Sequence, residues 1–454
     1  SKLIMQLSKN KKYQYIFFSI LSIYIIFNGG NSNLFIQLNF ILISLFFLYC
    51  LKDKNYNLHL KNFYINNKKS IFLYIIFLIY LTFQITPLPI NILKFFSPEK
   101  LKLINLVDNI SFSSISLSPS NSFFQILNFT SLLFIFFISK MVFYTERHKY
   151  RFYFYLSVIG FIASVVALLF YLNGNPDFLI FKNSYYKNAS TGFFINRTVF
   201  SVFLLFSLIS CLELLKNYEE VTNSRKKDYF FPKIYIRMFT IFISIGIVTS
   251  FSRIGNFLLF ITILFYLLNE FLYVKKKNYT FKIILLFIVL FDILILGIYF
   301  GTSEIINRFY FLKEEFNSIH GEISGITRFD LIKFGINEIS NFIFFGYGVG
   351  AFENLFKLKF INTSIQFANH SHADLFEFFG EFGLIGCLII IFSFIKFFLN
   401  KKNYSFINIL LITYLIIILS FDFSLHIPII QILFIMFFIM NKNPTVPRKF
   451  EDRY

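Results

Sequence analysis

The feature that most constrains this chain is its succession of apolar runs, each about as long as a bilayer is thick. Stretches such as IFLYIIFLIY (71–80) and FIVLFDILILGIYF (287–300) recur from one end to the other. A helix needs roughly 20 such residues to cross the hydrocarbon core. Nothing in them alternates with period 2, so they do not read as barrel strands, and an open sheet cannot satisfy its edge groups in lipid. The chain therefore reads as an all-α polytopic membrane protein. Only 15% of its 454 residues are charged, against about 25% in a soluble domain.

Twelve spans are expected, at roughly 13–28, 33–51, 71–86, 123–143, 152–172, 192–214, 234–250, 254–274, 283–300, 379–399, 404–421 and 424–440. The first follows a basic KNKK stretch without a small-residue cleavage site, and is read as a retained helix. Cys50, Cys211 and Cys387 all lie inside apolar runs, as small core residues rather than a disulfide framework. With no Trp and 27 Tyr, tyrosine has to supply most of the interfacial aromatic belt.

The basic residues then assign the sides. The N-terminus, 52–70, 144–151, 216–233, 275–282, 400–403 and the C-terminus together hold about 27 of the 43 Lys and Arg. By the positive-inside rule these segments are cytoplasmic, and both termini are inside. The net charge of +19 is thus a topology signal. No nucleic-acid partner is expected, because the basic loops carry no RNA- or DNA-binding motif. In domain terms, 1–300 holds spans one to nine with an outer loop at 87–122. A large outer loop occupies 301–378, and 379–454 holds spans ten to twelve and a cytoplasmic tail. A loop of that length is expected to be functional. Its TRFDLIKFGINEISNFIFF stretch has helical periodicity, so it should form an ordered, partly helical cap on the outer face.

Polar chemistry collects at the outer helix ends. Arg197 opens span six, Arg253 stands between spans seven and eight, and Arg328 lies in the large loop. His370, His372, Asp374 and Glu377 lead into span ten, and Asp422 and His426 occupy the corner of spans eleven and twelve. Far apart in sequence, these residues share one membrane depth. Ser371 and Asp374 fit a capping box, which predicts a helix from His372 into span ten with Asp374, Glu377 and Glu381 on one face. His372 would then lie in the positive end of the helix dipole, which keeps its ring neutral and able to accept a proton. Blander readings stand beside this one. Asp374 is then only a cap, Glu381 only solvates a face, Arg253 snorkels to lipid phosphate, and His372 is a hydrogen-bonded structural residue. His370 and His372 form an H-x-H pair, but no third ligand stands at a recognised spacing, so no metal is expected. Asp292, an acid near mid-span in span nine, bonds a neighbouring helix or marks a proton path.

HADLFEFFGEFGLIG (372–386) resembles the signature of the O-antigen ligase and O-antigen polymerase-like membrane proteins, roughly His-Asn-Asp-x-x-Glu followed by Glu-x-Gly-x-x-Gly. FQITPLP (83–89) with a following SP, GFFINRTVF (192–200), SFSRIG (250–255), GYGVGAF (346–352) after Arg328, and SFDFSLHIP (420–428) resemble further pieces of the same family in the same order. The resemblance runs over about 75–440. Ala373 replaces the family's usual Asn, and Thr198-Val199 replaces an Asn-His pair often seen there. The resemblance implies an inner-membrane enzyme that transfers a saccharide from undecaprenyl diphosphate to an acceptor hydroxyl on the periplasmic face. A ligase uses a lipid A core acceptor; a polymerase uses another lipid-linked glycan. It further implies inversion at the anomeric carbon and no metal, nucleotide or other cofactor. His372 would be the base, and Arg197, Arg253 and Arg328 would bind the diphosphate, with His370, Asp374 and Glu377 as further substrate-binding residues. A transporter or flippase is the alternative from another class. It predicts inverted repeats and broken helices near the midplane.

Overall fold

The computed structural model describes residues 2–104, 110–177, 187–221, 230–272, 283–288, 328–360, 368–398 and 405–441. The chain is a helical bundle. Its helices are α1 (Lys2–Ile26), α2 (Asn33–Leu51), α3 (Lys54–Ile85), α4 (Ile90–Phe96), α5 (Pro98–Ile104), α6 (Pro119–Val142), α7 (Glu146–Leu172), α8 (Arg197–Val221), α9 (Phe230–Thr249), α10 (Arg253–Leu272), α11 (Arg328–Asn341), α12 (Phe352–Lys359), α13 (Asp374–Phe398), α14 (Phe406–Phe421) and α15 (Pro428–Met440). Among the described residues the strand content is one antiparallel pair, β1 (Leu88–Pro89) with β2 (Phe112–Ser113).

Among the described residues, seven helices are long and apolar enough to cross a membrane: α2, α3, α6, α7, α8, α10 and α13. The protein is therefore a multi-pass membrane protein. Each expected span except 283–300, most of which lies outside the described residues along with Asp292, coincides with a helix. Boundaries differ where polar residues extend a helix past its apolar part. The basic segment 52–70 is expected as a loop, yet it is the first half of the 32-residue α3, started by Asp53 accepting from the Asn55 amide at 3.0 Å. That half contains neither Pro nor Gly, so nothing interrupts the helix.

The crossing part of α8 is wholly buried and forms the bundle's axis. α7, α9, α10 and α15 pack around it. Small residues permit the closest approaches, as membrane helices require. A Cβ on Gly255 of α10, for example, would lie 2.2 Å from Ser201 Oγ of α8.

The break in α13 does most to position the site. Gly383 has φ 65 and ψ 178, which splits the helix in two. The irregular segment 343–350 fills the break. Leu384 N donates to Ile343 O at 2.7 Å, Ile385 N to Phe344 O at 3.2 Å, Tyr347 N to Gly380 O at 2.9 Å and Gly348 N to Glu381 O at 3.2 Å. From α3, Gln84 Nε2 donates to Phe345 O at 2.7 Å and Glu381 O at 3.0 Å, and Tyr80 Oη donates to Phe382 O at 2.7 Å. Backbone groups freed by the break are thus paired inside protein, the condition on which irregular backbone survives at membrane depth.

Beside the break, α11 and α12 enclose a small core of Leu331, Phe342, Tyr347, Phe352, Leu355 and Phe356. Lys359 Nζ donates to Glu99 Oε1 and Glu338 Oε2, both at 2.8 Å, tying α5 in the first loop to α11 in the second. Helices in the expected 301–378 segment are therefore present in its described part; 301–327 and 361–367 lie outside the described residues.

Candidate active site

α13 begins at Asp374, two residues later than the capping pattern predicts. Ala373 is its N-cap, its carbonyl accepting from the amides of Phe376 at 3.1 Å and Glu377 at 3.2 Å. Ser371 Oγ turns instead to its own neighbour, accepting from the Ala373 amide at 3.3 Å. His372 is thereby left outside the helix with φ 60, a left-handed conformation uncommon for a side chain of its size. Its ring meets Phe423 edge-on at 5.1 Å.

Asp374 does not cap its helix. Its Oδ2 accepts from the Leu425 amide at 2.9 Å, and its Oδ1 is hydrogen-bonded to Nδ1 of His426. Asp374 N in turn donates to Asp422 O at 2.9 Å, and Asp422 Oδ2 accepts from the Ser424 amide at 3.1 Å. The 424–426 turn is thus fastened to the first residue of α13. Ionised carboxylates accept and do not donate, so this pairing sets a proton on His426 Nδ1.

Glu377 is the second organiser. Its Oε1 pairs with His370 Nδ1 at 2.9 Å, and its Oε2 accepts from the Ser371 amide at 2.7 Å. His370 stacks on Phe423 with centroids 4.9 Å apart, and His426 stacks on Phe378 at 4.1 Å. Glu381 Oε1 accepts from the Gly350 amide at 2.8 Å. Its Oε2 stands 3.7 Å from His426 Nε2, beyond hydrogen-bond range. Asp374, Glu377 and Glu381 are almost fully buried and His426 nearly so, whereas His370 remains partly open. Three buried carboxylates on one helix face repel one another unless cations or donors lie between them. Two imidazoles and several backbone amides lie there.

His370, Glu377 and His426 each offer a ligand atom, all within 4.8 Å of one another. The third partner that the H-x-H spacing lacks is thus present in space, although His372 does not belong to this trio. Glu381 is likewise a correction: it does not simply solvate a helix face, because it is buried and bonded to the 343–350 segment.

Arg197 opens α8 and Arg253 opens α10. These two helix starts are adjacent, with Ser252 Oγ donating to Thr198 Oγ1 at 3.2 Å. The 424–426 turn packs against α8. The Asn28–Gly30 turn clamps the same region: Asn28 Oδ1 accepts from the Ile195 amide at 2.9 Å, and a Cβ on Gly29 would lie 2.6 Å from Ile427. Arg197 is half-buried and Arg253 exposed. Arg328 opens α11, which packs on α13; its side chain lies outside the described set.

Tyr347 of the 343–350 segment is buried against α13. Burial pushes the Lys100 ammonium of α5 down to about 8. Its Nζ donates to the Ser114 carbonyl at 2.6 Å and to that of Ser116, which anchors the first loop.

Residues 238–391, about a third of the chain, match the family model described as O-Antigen ligase. The resemblance carried by SFSRIG, GYGVGAF and HADLFEFFGEFGLIG is borne out over that segment. FQITPLP, GFFINRTVF and SFDFSLHIP lie outside the match. No curated protein matches the chain. The match points to a glycan ligase- or polymerase-type role and a glycosyltransferase-like enzyme.

Proposed function

We propose that this protein transfers a saccharide from undecaprenyl diphosphate to an acceptor hydroxyl at the outer face of the bacterial inner membrane, with a lipid A core as acceptor. The observation that carries the reading is the cluster at the start of α13. There two imidazoles and three buried carboxylates gather, and the turn that bears His426 packs against α8, the helix that Arg197 opens.

The chemistry fits that arrangement. The acceptor oxygen attacks the anomeric carbon while the bond to the diphosphate oxygen breaks. The diphosphate leaves with the electron pair, and a histidine takes the hydroxyl proton. Diphosphate is already a good leaving group, so the main demand is charge stabilisation. Guanidinium forks pair bidentately with phosphate oxygens. Arg197, Arg253 and Arg328 are assigned that role and His372 the role of base. His370 and Glu377 form an imidazole–carboxylate pair next to it, and Asp374 holds the corner that closes the site. No step is routed through a metal. Twelve spans, inward termini and a periplasmic 301–378 segment belong to the same proposal.

One observation speaks for a transporter, which calls for a broken helix: α13 is broken at Gly383. That break is filled by the backbone of 343–350, so the transferase reading is preferred.

The decisive experiment is the lipid-linked glycan profile of a deletion strain. Long chains accumulating on the carrier identify a ligase, and single repeats identify a polymerase. Repeats trapped on the cytoplasmic face, with the outer-face pool depleted, identify a flippase and sink the proposal.

A further inference from the structure

At the opposite end of the bundle from the site, a cleft of about 860 Å³ opens between α1 and α7, with Leu214 of α8 at its back. Its mouth carries Lys11, Arg147 and Arg151; its walls include Phe18, Phe154, Val158 and Leu214. Side chains bridge the two helices across its floor. Phe18 stacks on Tyr155 at 4.3 Å and 4°, and Tyr155 Oη and Ser22 Oγ lie 2.9 Å apart.

The charge at the mouth is unanswered. Among the described residues no carboxylate pairs with Lys11, Arg147 or Arg151. Arg151 Nη1 donates to the Gln14 amide oxygen at 3.1 Å. The neighbouring acid, Glu146, is held by Lys149 at 2.5 Å. Three cations gathered at one opening repel one another and favour a shared anion.

The walls specify the rest of the ligand. Ser19 Oγ donates to Tyr15 O at 3.0 Å, Ser22 Oγ to Phe18 O at 2.9 Å and Tyr155 Oη to Phe18 O at 3.0 Å. Those hydroxyls are spent on the α1 backbone, so recognition falls to the cations at the mouth. From Arg147 to Val158 the cleft follows α7 for roughly 16 Å at 1.5 Å per residue. Its surface changes along that length from basic to aromatic and aliphatic, and Phe154 is half exposed on it. A free phosphate would leave this wall bare, and a neutral lipid would leave the cations unpaired.

The geometry points to a bound anionic diacyl phospholipid of the cytoplasmic leaflet, its phosphodiester between Arg147, Arg151 and Lys11 and one acyl chain along Phe154, Val158 and Leu214. Guanidinium forks suit a phosphodiester, and basic recesses between helices on the cytoplasmic side suit anionic headgroups. The lipid would wedge α1 against α7, far from the proposed chemistry; its binding stands apart from the proposed transfer, and only its assignment to the cytoplasmic leaflet rests on the orientation proposed above.

The test is native mass spectrometry and thermal melting of the delipidated full chain, titrated with dioleoylphosphatidylglycerol, dioleoylphosphatidylcholine or soluble glycerol phosphate. The phosphatidylglycerol should remain as one adduct and raise the melting temperature. Each cation removed should weaken it about fivefold, so Arg147→Gln/Arg151→Gln should lose on the order of 10- to 30-fold. Lys11→Gln, a single change at an exposed position, should show the smaller loss even if the double variant folds poorly. Equal retention by the variants, equal retention of phosphatidylcholine, or competition by glycerol phosphate at the lipid's own concentration each overturns the assignment.

Discussion

Gly346 and Gly383 meet backbone to backbone: a Cβ on Gly383 would lie 2.5 Å from the Gly346 nitrogen, and one on Gly346 would lie 2.2 Å from the Glu381 carbonyl oxygen. Both residues have positive φ, 71 and 65. Two glycine motifs 37 positions apart thus make one joint, which holds Glu381 and the first turns of α13 under the 343–350 segment. Gly383→Ala combines backbone strain of about 1–3 kcal/mol, in a φ/ψ region essentially confined to glycine, with a collision against main chain that cannot move aside. Gly174→Ala, at φ +77 with nothing within 4 Å, incurs the strain alone. We expect Gly383→Ala to lower the melting temperature of the purified protein several-fold more than Gly174→Ala does. Equal shifts would mean that the joint has room to relax.

That joint also marks the boundary of what the sequence makes legible. Apolar runs give the helices, and the charges on the connecting segments give an orientation. The glycines of GYGVG and EFGLIG read as a turn and a helix signature, but their contact depends on a long-range fold. His426 shows the same limit. Its corner is visible in SFDFSLHIP, whereas its bond to Asp374, 52 positions away, arises only when α14 and α15 return beside α13. A capping rule assigns Asp374 to its own helix because the rule is local. In the fold the Leu425 amide and the His426 ring compete for that carboxylate and win.

The Lys359 bridge gives the outer segments a pH dependence of definite sign. Hydrogen bonding to Lys359, and then to Lys102, holds the Glu99 carboxyl below its ordinary 4.5. A depressed acid contributes stability that is fully present above its unfolded value and is lost as pH falls through its folded one. Proteolysis within 352–360 should therefore quicken below about pH 4 in the natural protein, measured with an acid-active protease. Lys359→Met should be cut faster at neutral pH and show little further change on acidification. An unchanged cleavage rate in Lys359→Met would remove the bridge from the account.

Sidedness can be read with an impermeant thiol reagent in a background lacking Cys50, Cys211 and Cys387. Lys357→Cys, at an exposed side chain of α12, should label from outside intact spheroplasts. Lys226→Cys, in the basic 216–233 segment, should label only after lysis. The reverse pattern removes the whole orientation, and with it a periplasmic site.

The trio of His370, Glu377 and His426 makes metal dependence a direct question. His370 Nδ1 and Glu377 Oε1 are already paired at 2.9 Å, and His426 is held by Asp374 through its other nitrogen. His426 Nε2, 3.4 Å from Glu377 Oε1, has no hydrogen bond of its own among the described residues, but the other ligand atoms are already bonded to one another, so transfer by purified protein should survive EDTA unchanged. Activity lost to EDTA and restored by a divalent ion would set a metal among these three side chains and replace the metal-free mechanism.

The sharpest test separates His372 from His370. His372 stands just before the N-terminal end of α13 with φ 60, edge-on to Phe423, and is the residue proposed above as the base. His370 is instead tied to the Glu377 carboxylate and stacked flat on Phe423. That bond occupies His370 Nδ1 and the stack fixes the plane of its ring, which suits orientation better than proton abstraction. His372→Ala should therefore lose about 10²–10⁴ in transfer rate, the usual contribution of a positioned base, with folding and insertion intact. His370→Ala should lose much less in rate and more in thermal stability, because it leaves Glu377 buried with one partner fewer. Both variants are to be assayed at matched expression on purified lipid-linked donor. Near-normal turnover in His372→Ala, with a collapse in His370→Ala, would move the base to the His370–Glu377 pair, where a carboxylate already orients the ring.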